Sequence, residues 1–252
     1  MISLVFAVFA LVHAVLTVWL ARIAAVRGSR HAWLAAAVAA GLVYDNGVVA
    51  LGSTLGEGDL LYALNVPRFV IHALVTPLLI VFAAGAARDH GLAWARPRAV
   101  HAGFCLAATA LIAYGVLAEV VGLSLVPGRE GDALRYSAAE TAAPIPSIAT
   151  VVVLLAVGLL LLVRSRSGWM AAGAALMFAA AAVPSAPLAV GNLGEVALIA
   201  GLAMTARRMG RGPSRPPTPG TGPSPQGAHR TGEDDAPPGA SSGAAGVPRT
   251  AG

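Results

Sequence analysis

The sequence predicts an all-α membrane protein: seven transmembrane helices, N-terminus outside and C-terminus in the cytoplasm, followed by a disordered tail. Three observations predict it. Of 252 residues, 57% are hydrophobic and 12% charged, about half the charge of an ordinary soluble domain. Seven apolar runs approach the roughly 20 residues that a helix needs to cross a bilayer. The arginines gather at alternate ends of those runs, which sets an orientation. All 17 basic residues are arginine, and the net charge is +5. They punctuate helix ends and form no basic face, so nucleic acid is not an expected partner.

The expected spans are 2–25, 32–53, 67–88, 98–122, 145–163, 168–184 and 187–206. The first has no basic segment before it and is too long for a signal-peptide core, so it reads as a retained helix. Pro67, Pro144 and Pro146 fall near helix starts, where proline is tolerated. Pro77 lies inside the third span and is expected to kink it. The sixth span is the shortest. Arg22, Arg27, Arg30, Arg88, Arg96, Arg98, Arg164, Arg166, Arg207, Arg208 and Arg211 fall on one side, and Arg68, Arg129 and Arg135 on the other. The richer side is expected to be cytoplasmic. Trp19, Trp33, Trp94 and Trp169 cluster toward that side, as an interfacial belt does. The seven-helix domain is expected over residues 1–208. Residues 209–252 are rich in Pro, Gly and Ser, lack the apolar content to pack, and read as a disordered tail. The Ala, Gly, Pro and Arg load without lysine is that of a high-GC bacterial coding sequence, so the expected location is the bacterial plasma membrane, multi-pass.

Asp45 is the most informative residue. It lies mid-span in Tyr44-Asp45-Asn46, where a carboxylate costs roughly 2.5–3.5 kcal/mol on insertion scales and marks function by default. In the expected orientation, Asp45 and Asn46 fall in the outer half of span two, and Arg68 and His72 in the outer half of span three. Glu119 ends span four, Glu140 precedes span five, and Asn192 and Glu195 lie in the outer half of span seven. Asn65, Arg68, His72 and Thr76 share one helix face by their three- and four-residue spacing. One buried site near the outer leaflet is expected, with Tyr44, Phe69 and Tyr114 as candidate lining residues. The bland alternative is a polar network that locks helices together. Cys105 reads as a packing residue, without metal-ligand spacing. His13 reads as a hydrogen-bonded interior histidine. Glu57 and Asp59 read as solvated loop residues.

Metal readings fit poorly. A zinc hydrolase needs three ligands within reach, and spans five to seven contain no histidine. Haem wants facing histidines at one depth, and no such pattern is visible. No phosphate-binding glycine loop and no Gly-x-Ser-x-Gly occurs. No metal or cofactor is therefore expected. Acid–base chemistry on a lipophilic substrate remains. Low dielectric favours the neutral form of a carboxyl, so Asp45 or Glu195 is expected to hold a proton and donate it. Nearby aromatic faces suit a cation.

On Tyr44-Asp45-Asn46 in span two and Gly191-Asn192-Leu193-Gly194-Glu195 in span seven, the chain resembles the integral-membrane terpene cyclases of meroterpenoid pathways. The fungal members are similar to Trp-Glu where this chain has Tyr44-Asp45. The resemblance covers residues 1–206 and rests on layout and a few residues. It implies an enzyme that protonates a prenyl chain or its epoxide and steers a carbocation, with Asp45 and Glu195 as the acid–base pair. Tyr44, Asn46, Arg68, His72, Tyr114, Glu119, Glu140 and Asn192 are then the expected substrate-binding residues. A prenylated lipophile and membrane lipid are the expected partners, with a prenyltransferase and an epoxidase in the same pathway. Arg68 is open between pairing with Glu119 or Glu140, which leaves Asp45 protonated, and binding a substrate anion. The second option supports a protein that binds or hydrolyses lipids at the outer leaflet. A receptor or assembly factor without chemistry is the third class.

Overall fold

Apolar, alanine-rich stretches with glycine or proline at their ends make eight α-helices among the described residues, which in this computed structural model are 1–140, 143–183 and 187–210. They are α1 (Ile2–Arg27), α2 (Arg30–Leu55), α3 (Asp59–Val75), α4 (Leu78–Asp89), α5 (Arg98–Gly115), α6 (Ile145–Ser165), α7 (Trp169–Ala181) and α8 (Leu188–Ala206). Local chemistry fixes several ends. Gly28 takes the left-handed conformation that stops α1, and the Ser29 hydroxyl accepts the Ala32 N–H to start α2. Six segments of the described residues are long and apolar enough to cross a membrane, with α3 and α4 together forming one of 31 residues. α7, with 13 residues, is shorter than a bilayer requires.

Three expectations are corrected. The chain is not purely α-helical: Leu125–Glu130 (β1) and Ala133–Ala138 (β2) pair antiparallel as a hairpin. The third span starts at Asp59 rather than 67, so Pro67 lies within a helix and Asp59 opens one. The polar side chains of Asp59, Tyr62 and Asn65 depress the local hydropathy and hide that first half from an apolar-run reading. The helix nevertheless buries Leu61, Asn65 and Ala73. At Thr76–Pro77 the long segment is interrupted, where the proline was expected to kink it. The stretch read as tail lies outside the described residues from 211 onward. Met209, inside that stretch, is fully buried, and the Gly210 N–H donates to Asp89 Oδ2 at 3.0 Å.

The hairpin roofs one end of the bundle, the end where α1, α3, α6 and α8 start and α2 finishes. Its turn is Gly131-Asp132, with Gly131 at φ 56°, a residue pair suited to a two-residue turn. Its sites of attachment are specific. Gly52 of α2 lies so close to β2 that a Cβ there would meet the Leu134 carbonyl oxygen at 1.8 Å. Tyr136 packs edge-on against Tyr62 of α3, ring centroids 5.4 Å apart. The Glu130 carboxylate accepts the Leu188 N–H that opens α8, at 3.2 and 3.3 Å, an acid at a helix N-terminus. Asp132 accepts the Ile2 N–H and pairs with the terminal ammonium, which holds its carboxyl down at about 2.

The interior divides accordingly. Leu20, Ala35, Phe82, Leu154, Met170 and Leu202 belong to one closely packed apolar cluster drawn from α1, α2, α4, α6, α7 and α8. Near the hairpin a smaller cluster of Val48, Leu61, Leu125, Leu134 and Tyr136 ties the roof to α2 and α3. Beside this second cluster the packing opens into a cavity.

Candidate functional site

The cavity has a volume of about 600 Å³ and is lined by Asp45, Arg68, Phe69, His72, Glu119 and Arg135, among others. Helix geometry explains why these residues meet. At 1.5 Å per residue, Asp45 lies about 15 Å from the end of α2, Arg68 about 14 Å from the start of α3, and Glu195 about 11 Å from the start of α8. Those helix ends all lie at the hairpin, so the three side chains share a depth.

Arg68 is the hub. Its Nε donates to Asp45 Oδ1 at 2.8 Å, and its NH1 donates to Asn65 Oδ1 at 2.6 Å. Asn65 is fully buried, and the same Oδ1 accepts the Tyr136 N–H of β2 at 3.2 Å, while its Nδ2 donates to Leu61 O at 2.7 Å. One amide therefore couples the guanidinium to the hairpin. The Arg68 side chain is 9% exposed and that of Asp45 29%. The expected pairing of Arg68 with Glu119 or Glu140 is corrected: the acid it holds is Asp45, the pair that the helix-locking alternative also accommodates.

One helical turn on, His72 Nε2 and Ser147 Oγ of α6 share a 2.8 Å hydrogen bond. Glu119 projects from a wide π-type turn, Val116–Val120, that follows α5. Its Oε1 is buried with no hydrogen-bond partner among the described residues. Glu140 and Pro144 complete the wall on the α6 side. Arg135 enters from β2. Burial first, and then the Arg68 charge, pull its guanidinium below the usual arginine range, opposed by Asp45 and Glu130.

The remaining expected residues are placed differently. Glu195 does not line this cavity; its Oε2 is buried without a partner among the described residues, within reach of the Asp45 and Arg68 charges. Asn192 and Asn46 each donate back to a carbonyl four residues earlier, Leu188 and Leu42, and keep a buried Oδ1 unpartnered among the described residues. His13 of α1 shares a hydrogen bond with Phe9 O through Nδ1, and its Nε2 is buried without a partner among the described residues. Tyr44 is a strut rather than a lining residue, its hydroxyl donating to Leu64 O at 2.8 Å. Tyr114 is 41% exposed and lies outside the cavity wall.

Ser147 and the hairpin residues Arg135 and Tyr136 escape a sequence reading. Ser147 is hidden by an apolar helix start, and the hairpin residues lie in the stretch between the expected spans 98–122 and 145–163, to which no element was assigned. The Gly131-Asp132 pair between short alternating stretches was the available signal. Among the described residues no group of three or more His, Cys, Asp or Glu side chains is arranged to hold a metal ion. Comparison with family models, with characterised proteins and with solved structures returns no match.

Proposed function

We propose that this chain is an integral-membrane enzyme performing acid–base chemistry on a lipophilic, prenyl-bearing molecule in the cavity beneath the hairpin, a terpene-cyclase type of reaction. The observation that carries this reading is one cavity holding carboxylates of unlike standing. Asp45 is bound by Arg68, whereas Glu119 lines the cavity with no ion-pair partner among the described residues. A carboxyl group without a countercharge is the one free to exchange a proton with a substrate. The Asp45–Arg68 pair is net neutral but fixed, and its carboxylate edge is the side against which a cation can rest.

The roles follow from the geometry. Glu119 delivers a proton to a prenyl double bond or epoxide oxygen. The resulting cation is attacked by the next double bond, forming a carbon–carbon bond and closing a ring. The Phe69 face and the Asp45 carboxylate stabilise the cation. His72, steadied by Ser147, takes up the proton lost at the end. Proton in equals proton out, so the product is an isomer of the substrate. This moves the donor role from Asp45 to Glu119; Glu195 is the reserve acid behind the pair. The orientation belongs to the same proposal. Arg22, Arg88, Arg164 and Arg207 lie at the end away from the hairpin, which supports reading that end as the cytoplasmic one, in a bacterial cell, with the cavity toward the outer leaflet.

Arg135 favours a second reading. It lines the cavity without an ion pair among the described residues, which suits an anionic lipid headgroup. The two readings separate on mutation. Glu119→Gln keeps shape and removes the acid, which is expected to slow conversion by about 10²–10⁴. Arg135→Gln is expected to leave conversion largely intact. A large loss with Arg135→Gln and none with Glu119→Gln reverses the assignment.

A further inference from the structure

Three guanidiniums converge at the end of the bundle opposite the hairpin. Arg27 closes α1, Arg207 and Arg208 follow α8, and with Trp169 at the start of α7 and Met204 they line a cavity of about 380 Å³. No carboxylate is in that wall. Among the described residues no Asp or Glu oxygen lies within 4.0 Å of any of the three guanidiniums. The one side-chain hydrogen bond they make among the described residues is from Arg207 NH1 to the Met204 sulfur at 3.9 Å, a weak one.

Arginine at this end has an ordinary explanation: it anchors helix ends at a membrane surface and complements the negative ends of α1 and α8. Arg22, Arg88 and Arg164 meet that need without gathering in one hollow. Three like charges around one cavity repel one another, and the repulsion is relieved when an anion enters. Planar guanidinium forks match phosphate oxygens two at a time. Trp169, half exposed, supplies the amphipathic wall typical of headgroup depth.

We propose that this cavity binds a phosphate-bearing anion, with the phosphodiester of an anionic membrane lipid as its source. The site is separate from the cavity under the hairpin and does not depend on any reading of the chemistry there.

The test uses the full chain in detergent micelles, with the unfolding midpoint followed against added phosphatidylglycerol, phosphatidylcholine or inorganic phosphate. Phosphatidylglycerol is expected to raise the midpoint and phosphatidylcholine to leave it unchanged. Each arginine removed is expected to weaken the response about fivefold, so Arg207→Gln/Arg208→Gln requires roughly 25-fold more lipid. Arg27→Gln is the second variant, reporting if the double one is poorly folded. Arg164→Gln, outside the cavity, is expected to respond as the wild type does. An arginine-dependent rise with inorganic phosphate alone supports the phosphate site and assigns it to a soluble ligand. Equal responses in all variants, equal loss in Arg164→Gln, or no response to either anion overturns it.

Discussion

Arg68 decides how the cavity behaves, because it holds Asp45 with one nitrogen and Asn65 with another. Removing one partner of a buried ion pair leaves a charge without compensation, at a cost of about 3–5 kcal/mol. Asp45 is 29% exposed, so Arg68→Leu is expected at the low end, about 3 kcal/mol, read as a lower unfolding midpoint in detergent. Asp45→Leu/Arg68→Leu is expected to recover most of that loss, since an apolar pair of similar volume is often neutral. No destabilisation in the single variant contradicts the pairing. Asn65→Ala leaves Arg68 NH1 and the Tyr136 N–H without their acceptor while Arg68 Nε keeps Asp45, each lost partner costing about 1–3 kcal/mol, and is expected to loosen the hairpin as well as the site. At this scale the sequence was informative where a charge interrupted an apolar run. Asp45, Arg68, His72 and Glu119 stood out for that reason and line one cavity. Burial alone did not identify which acid Arg68 takes, since four carboxylates at one depth were equivalent until the helices packed.

The hairpin is the element that turns a gap between helix ends into a cavity with a roof. It supplies Arg135 to the wall, the Tyr136 N–H to Asn65 and the Glu130 carboxylate to the start of α8. Its contact with α2 depends on the missing side chain of Gly52. Gly52→Ala sets a methyl against the Leu134 carbonyl at 1.8 Å, and backbone must shift to make room. Such overpacking typically costs about 1–3 kcal/mol. The expected outcome is faster amide exchange in Leu125–Ala138 with the helices still protected. Unchanged exchange there means that α2 does not brace the roof. Helices were legible because apolar runs of bilayer length have one stable solution in lipid. The hairpin was not, because Leu125–Ala138 is short, half polar and ruled by contacts with α2 and α3. The first half of α3 was missed for a related reason: Asp59 is exposed, and Tyr62 and Asn65 meet the hairpin at Tyr136, so the apolar run begins late.

At the scale of the whole molecule, the acid-bearing cavity and most of the helix-end arginines occupy opposite ends, with Arg68 and Arg135 as the basic groups of the cavity wall. The cavity with Asp45, Glu119 and His72 lies under the hairpin, and the arginines of the helix ends gather at the other end. Six segments of membrane-spanning length carry that polarity across the bundle among the described residues. A reporter fused after Arg211 is expected to be active in the cytoplasm alone; activity outside reverses the proposed orientation and moves the cavity to the inner leaflet. Length and composition were enough to read a membrane protein from the sequence, while the shortness of α7 and the roof needed coordinates. The central claim is that the cavity isomerises a lipophilic substrate by proton transfer, and the mass of the product tests it most directly. Membranes containing the protein are incubated with a linear farnesylated acceptor or its epoxide, without added metal or nucleotide. A cyclised product of unchanged mass is expected, formed by the wild type and lost with Glu119→Gln. A product heavier by one water, a dephosphorylated product, or equal turnover by membranes lacking the protein contradicts it.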